Sequence, residues 1–143
     1  MYRLFSFAAI GLFLFPSACW SQARLNVTLT GLQARGTIYL AVYNTADEFG
    51  KPEKAFRKIV IKPGGLQTTV TADNLPSGAY AVAVYQDLYD NRKIDKNIFG
   101  IPSEPFAFSN NVRPFVTAPT FTQCLIKLDK PEHAISIKLM TYF

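Results

Sequence analysis

Oxygen-bearing side chains are concentrated between Asp87 and Asn97. Some of them recur at every fourth place, and others stand directly beside these. Hard cations such as calcium take about six to eight oxygen ligands from a loop that is flexible enough to wrap around the ion. The pattern therefore predicts a calcium site whose ligands are Asp87, Asp90, Asn91, Asp95 and Asn97.

The same stretch departs from a calcium-binding EF-hand loop at three positions. Tyr89 occupies the place of the third-position ligand, Arg92 that of the glycine, and Ile98 that of the bidentate glutamate. Short Asp and Asn side chains also accept hydrogen bonds from nearby backbone amides and thereby hold turns. The sequence leaves both interpretations open, a cation site and a set of hydrogen-bonded turns.

Paired carboxylates also suggest glycoside hydrolysis, in which two acidic side chains flank the scissile bond. Asp87, Asp95 and Glu104 are the acidic candidates, and an enzyme would bring them together in a concave pocket. The sequence offers no nucleophile with a base beside it. The single histidine, His133, lies in a predicted turn, and Cys124 faces inward along a predicted strand. The sequence therefore assigns no catalytic residue.

Glu104 stands in a segment rich in phenylalanine, isoleucine and proline. A carboxylate in apolar surroundings must either reach solvent or accept hydrogen bonds from nearby donors. One interpretation is a hydrogen-bonded clasp within the fold. The other is a binding surface formed by Glu104, Ser109, Asn110 and Asn111.

Apolar and polar residues alternate with period two along most of the chain, which predicts strands near 25–30, 37–43, 56–61, 67–72, 79–86, 123–128 and 135–140. About seven short strands predict an all-β fold, an antiparallel two-sheet sandwich, with a barrel as the rival. Strand 79–86 is apolar on both faces and should be central. Residues 87–119 are too apolar for disorder and predict one long ordered loop.

A specific motif runs from the fifth predicted strand through the segment that follows it. It resembles that of a secreted bacterial family, domain of unknown function 2141, in which His-Asp-x-Asn-x-Asn-Gly-Lys-x-Asp-x-Asn precedes Gly-x-Pro-x-Glu-x-x-x-Phe-Ser-Asn-Asn. The matching residues are Gly78, Tyr80, Asp87, Asn91, Lys93, Asp95, Asn97, Gly100, Pro102, Glu104, Phe108, Ser109, Asn110 and Asn111. Gln86, Tyr89 and Arg92 replace a histidine, an asparagine and the glycine of the pattern. The resemblance implies no activity, substrate or cofactor.

Residues 75–80 resemble the turn and strand entry of transthyretin-like and immunoglobulin-like sandwiches. This second resemblance implies the same sandwich architecture that the alternation predicts. It covers a short stretch and carries no site residues with it.

The beginning of the chain has the layout of a secretory signal peptide, a basic residue followed by an apolar run that ends at Phe15. This predicts a signal peptide over 1–23 and a single domain over 24–143, in a secreted or periplasmic protein. Cys19 leaves open an alternative in which the protein is anchored to a membrane by a lipid.

The charge of the chain excludes some partners. Its formal net charge is +5, and the basic residues are scattered rather than arranged in a stripe. We expect no nucleic-acid binding and at most a weak attraction to anionic surfaces. No later segment is long and apolar enough to predict a transmembrane helix.

These patterns favour a noncatalytic binding or interaction protein over an enzyme. The predicted recognition surface is the Asp87–Asn111 loop, calcium is the one candidate cofactor, and the partner is an unidentified envelope or extracellular component. The alternative is a carboxylate-dependent, glycosidase-like hydrolase. An enzyme would show converging carboxylates in a pocket, whereas a binding module needs only a complementary surface.

Overall fold

The computed structural model describes residues 22–142. The first strand begins at Gln22, two places before the predicted domain boundary at 24. The predicted signal peptide and the alternative lipid site at Cys19 otherwise lie outside the described residues. Within them, no helix has the length and apolar character needed to cross a bilayer.

The segments in which apolar and polar residues alternate form most of eight strands, which lie in two separate sheets. The smaller sheet has the order β4-β1-β8, and the larger has the order β3-β2-β5-β6, with β7 also pairing with β5. The predicted all-β, two-sheet sandwich is confirmed. The strands are β1 (Gln22–Thr30), β2 (Thr37–Tyr43), β3 (Arg57–Ile61), β4 (Gln67–Pro76), β5 (Gly78–Asp87), β6 (Phe106–Phe108), β7 (Ile126–Leu128) and β8 (Glu132–Lys138).

One strand pair departs from the predicted antiparallel arrangement. β8 runs parallel to β1, with Arg24 opposite Glu132 and Thr30 opposite Lys138. The other strand pairs within residues 22–142 are antiparallel. A parallel neighbour requires a long connection, and the chain between β1 and β8 crosses the whole larger sheet.

Alternation along the strands places the core between the sheets. Leu25, Val27 and Leu29 of β1 are completely buried against the larger sheet's inward row, which includes Ile38 and Val42. Strand β5 lies inside the larger sheet, as predicted, and β3 and β4 lie at edges. Burial of this apolar surface supplies the main stabilisation of the domain.

The segment predicted as one long loop contains a short strand and several ordered turns. Strand β6 pairs with β5, with Phe106 opposite Tyr85 and Phe108 opposite Ala83. Its three residues are too few for alternation to predict a strand. Strand β6 therefore extends the larger sheet beyond β5.

Candidate functional site

Asp87 closes a tight turn at the end of β5. Its side chain is completely buried. Oδ1 accepts hydrogen bonds from the backbone N–H groups of Tyr89 and Asn91 at 3.2 Å, and Oδ2 accepts one from Arg92 at 2.6 Å. Both carboxylate oxygens are therefore engaged by the backbone, as in the turn interpretation.

The other predicted calcium ligands have separate partners. Asp90 contacts Thr37 and Lys62, which lower its pKa. The Asn91 amide donates to both oxygens of Asp95 at 2.9 Å. Asn97 Oδ1 accepts from the backbone N–H groups of Phe99 and Ile101. Residues 22–142 contain no cluster of three or more His, Cys, Asp or Glu suited to a metal. Calcium binding stays a prediction.

Glu104 joins the turns of this loop to the start of β6. The residue is completely buried. Oε1 accepts the backbone N–H of Leu88 at 2.7 Å, and Oε2 accepts that of Asp95 at 2.9 Å. Glu104 thus forms a hydrogen-bonded clasp within the fold, and its role in a binding surface stays a prediction. Its donors come from the preceding loop and not from the residues that follow it.

Ser109, Asn110 and Asn111 fasten the chain after β6 to both sheets. Ser109 is completely buried, and its hydroxyl accepts the backbone N–H of Val82 and donates to the carbonyl of Cys124. Both contacts lie inside the fold, and the role of Ser109 in a binding surface stays a prediction.

The two asparagines that follow are exposed, but their side-chain amides bind the backbone. Both residues have positive φ, a conformation that asparagine tolerates well. Asn110 donates to the carbonyls of Gln123 and Leu125. Asn111 donates to the carbonyl of Ser136 and accepts the N–H of Lys138, so its amide pairs with the free edge of β8 as a strand would. The side chains therefore serve the fold.

An aromatic groove of about 950 Å³ lies on the outer face of the larger sheet. Three loops form its walls, at 49–52, 92–102 and 114–119. Tyr39 and Tyr85 stand opposite each other on β2 and β5 and stack with ring centroids 5.0 Å apart. The floor consists of Tyr39, Ala41, Tyr43, Ala83, Tyr85, Phe106 and Phe108.

The charges that line the groove are positive. Lys58 projects from β3, and Arg92 and Lys96 lie on the loop after β5. No aspartate or glutamate of the described chain lines it. Burial raises the pKa of Tyr85 to about 12, so its phenol stays neutral at physiological pH. The groove is therefore an apolar, aromatic site with cationic side chains and a neutral floor.

Comparison with known proteins adds the family to which the chain belongs. The family described as an uncharacterized protein conserved in bacteria (DUF2141) matches residues 27–136, well over half of the sequence. The chain is a member of the DUF2141 family. No curated protein and no solved structure matches it. The predicted family is therefore confirmed.

Gln86, which the resemblance sets against a histidine, is completely buried. Its amide nitrogen donates to the carbonyls of Gln33 and Arg35 at 2.6 and 2.7 Å, and its oxygen accepts the N–H of Gln33 at 2.9 Å. The side chain therefore holds the loop between β1 and β2 against the end of β5. Gln86 therefore has a structural role in the fold.

Arg92, which the resemblance sets against a glycine, has a backbone that suits glycine, with φ 64°. A side chain in this left-handed region is strained, whereas glycine is not. We expect Arg92→Gly to raise the free energy of unfolding by about 0.5–1 kcal/mol, since relief of strain exceeds the extra entropy of the unfolded chain. Unfolding in urea measures this change in stability.

Lys93→Gly is the matched control for this substitution, because Lys93 has no positive φ and glycine there should cost stability. Equal destabilisation by both changes would refute the strain at Arg92. The same unfolding curves, recorded with calcium and with a chelator, test the calcium prediction. A bound ion would raise the unfolding midpoint when calcium is present.

The predicted Asp87–Asn111 loop and the aromatic groove overlap only in part. Residues 92–102 of the loop form one wall, while its Asp and Asn side chains hold turns. The floor was missed, although the sequence contains a signal for it. Tyr39 and Tyr43 alternate with the core row of β2, and a solvated outer face would carry polar residues at such positions.

Proposed function

We propose that this DUF2141 member is a noncatalytic, secreted or periplasmic binding protein that holds an amphiphilic ligand in the aromatic groove. The ligand has an elongated apolar body and an anionic head. The observation that carries the proposal is the outer face of the larger sheet, which is aromatic and concave where a solvated face would be polar.

The size and lining of the groove support this ligand class. Small-molecule sites commonly occupy about 300–1,000 Å³ and combine apolar walls with a few polar groups. The aromatic floor offers Tyr39, Tyr85 and Phe106 to an apolar chain or ring. Lys58, Arg92 and Lys96 supply positive charge for a carboxylate, sulfate or phosphate head.

Binding is favoured over the alternative hydrolase by the positions of the carboxylates. The described lining of the groove contains none. Asp87 and Glu104 are buried, and their oxygens accept hydrogen bonds from backbone amides. A glycosidase needs two carboxyl groups that face the substrate, about 5–9.5 Å apart. These two side chains are engaged in holding the loop.

A groove-filling substitution tests the proposal directly. Ala83 lies in the centre of the floor, and Ala83→Trp should exclude the ligand by occupying its space. We expect the affinity for a long-chain fatty acid with a fluorescent dansyl group to fall at least tenfold, a change of about 1.4 kcal/mol. Fluorescence titration measures it.

Ala79→Trp is the matched control, because Ala79 faces outward on the same strand but does not line the groove. It should leave the affinity unchanged. Lys58→Glu should weaken binding of the fatty acid and spare the corresponding neutral alcohol, since it removes only the charge attraction. Undiminished binding by Ala83→Trp, or no binding by the unaltered protein, refutes the groove as the site.

A further inference from the structure

Two neighbouring loops expose large apolar side chains at their tips. Ile98 and Phe99 form one tip, Phe115 and Val116 the other, and each of the four residues is between 79% and 99% exposed. In residues 22–142 these are the two places where adjacent large apolar residues are both exposed. We call them the apolar tips. Isolated exposed apolar residues are common, whereas adjacent protruding pairs indicate a partner.

Both apolar tips belong to walls of the same groove. Gly100 and Ile101, which directly follow the first tip, line it, and so do Phe115 and Val116. The tips therefore rise from one side of the domain, around the outer face of the larger sheet. An apolar phase on that side would therefore meet both tips.

The first tip is a closed turn in which four backbone N–H groups are paired within the turn. The side chain of Asn97 accepts the N–H groups of Phe99 and Ile101. The Asn97 carbonyl accepts Gly100 N–H, and Asn97 N–H donates to the carbonyl of Ile101. Backbone groups that are already paired enter a poorly hydrated layer at little cost. This turn can therefore enter the headgroup layer of a bilayer without leaving these groups unpaired.

Basic side chains accompany the tips. Arg92, Lys93, Lys96 and Arg113 are exposed in the stretch 92–119. Its two carboxylates are Asp95, which is bound by Asn91, and Glu104, which is buried. Cations beside protruding apolar groups match a membrane surface, because the apolar groups enter the acyl boundary while the cations meet anionic headgroups.

We infer that the apolar tips dock this protein on an anionic lipid bilayer. Protruding, separated tips suit a fluid layer better than a rigid protein surface, which would need a matching cavity for each tip. A docked molecule would present the groove to the lipid, so that a ligand could enter from the bilayer. That consequence rests on the proposed function, whereas docking itself does not.

Vesicle flotation tests the docking. The probes are vesicles of phosphatidylcholine alone and of phosphatidylcholine mixed with phosphatidylglycerol. We expect the protein to float with the anionic vesicles and to be released by added salt. The double variant Phe99→Ser, Phe115→Ser should bind at least about tenfold more weakly, because it removes both aromatic groups of the tips.

Leu66→Ser is the matched control, since Leu66 is 71% exposed but does not line the groove. It should leave flotation unchanged. All variants keep residues 1–23, so any contribution from that stretch is constant. Tip variants that float as well as the unaltered protein overturn the inference. A change in oligomeric state instead of vesicle binding overturns it too, by assigning the tips to a second copy.

The same assay separates docking from ligand binding. Ala83→Trp fills the groove and leaves all four tip residues unchanged, so it should float normally while failing to bind the dansyl fatty acid. Loss of flotation in this variant, with the fold retained, would show that vesicle binding goes through the groove and would overturn docking by the tips. Normal flotation together with undiminished fatty-acid binding refutes the proposed function alone.

Discussion

Replacement of Glu104 by alanine should lower the free energy of unfolding by about 3 kcal/mol. The carboxylate is completely buried and accepts the backbone N–H groups of Leu88 and Asp95. Hydrogen bonds to a charged acceptor contribute more than neutral ones, and removal of the acceptor leaves both donors unpaired. Denaturant unfolding measures this loss of stability. A domain of ordinary stability remains folded after a loss of this size.

Two further variants separate hydrogen bonding from packing at this position. Glu104→Gln keeps the size of the side chain but turns an amide N–H group toward a backbone donor, so it should also destabilise by about 2 kcal/mol. Glu53→Ala removes an exposed carboxylate and should change stability by less than about 0.5 kcal/mol. A Glu104→Gln protein as stable as the original would mean that Glu104 acts by packing alone.

Hydrogen exchange locates the effect of the Glu104 substitution. The amides of Leu88 and Asp95 should exchange faster in Glu104→Ala, because their acceptor is gone. The loop that these amides anchor forms a wall of the aromatic groove. Weaker binding of the dansyl fatty acid should accompany the faster exchange. Unchanged exchange at both amides would contradict the clasp.

Much of the fold could be predicted because alternation reports directly on which face of a strand is buried. Val27 and Leu29, or Ile38 and Val42, show the core side of their strands without further information. The parallel pairing of β8 with β1 could not be predicted, since the same alternation fits either direction. Strand β6 could not be predicted either, because three residues are too few to show an alternation of apolar and polar residues.

The candidate site was harder to predict because its parts come from distant segments. Tyr39 and Tyr85 meet only through the pairing of β2 with β5, which alternation does not specify. The Asp-rich loop was conspicuous for the opposite reason, as its residues are adjacent in the chain. The side-chain oxygens of Asp87 and Asn97 accept hydrogen bonds from backbone N–H groups of the same loop. In the sequence, polar side chains that hold turns look the same as ligands until their hydrogen bonds are known.

Asp87, Glu104 and Ser109 therefore have the same structural role, which is to hold the walls of the groove in place. Asp87 and Glu104 shape the loop that forms one wall of the groove, and Ser109 fixes the chain that leads to the other wall at 114–119. A motif of buried polar residues of this kind preserves a shape. Under the proposed function, the ligand would contact the aromatic floor and the cationic side chains of the groove.

Ser109→Ala should also lower the free energy of unfolding by about 3 kcal/mol. Its hydroxyl joins the N–H of Val82 to the carbonyl of Cys124, and all three residues are completely buried. Alanine leaves both backbone groups without a partner in an apolar environment, where an unpaired polar group is costly. Ser103→Ala, in the same segment but exposed, should stay within about 0.5 kcal/mol of the unaltered protein.

The thiol of Cys124 gives this prediction a local measurement. Burial raises its pKa to about 11, so the native thiol is protonated and shielded from thiol reagents. In a Cys19→Ser background, labelling of Cys124 should be slow in the folded protein and much faster in Ser109→Ala, because the segment at 121–125 has lost its attachment to β5. Equal labelling rates with and without Ser109 would mean that this hydroxyl does not hold the segment, and that the wall at 114–119 is fixed by other contacts.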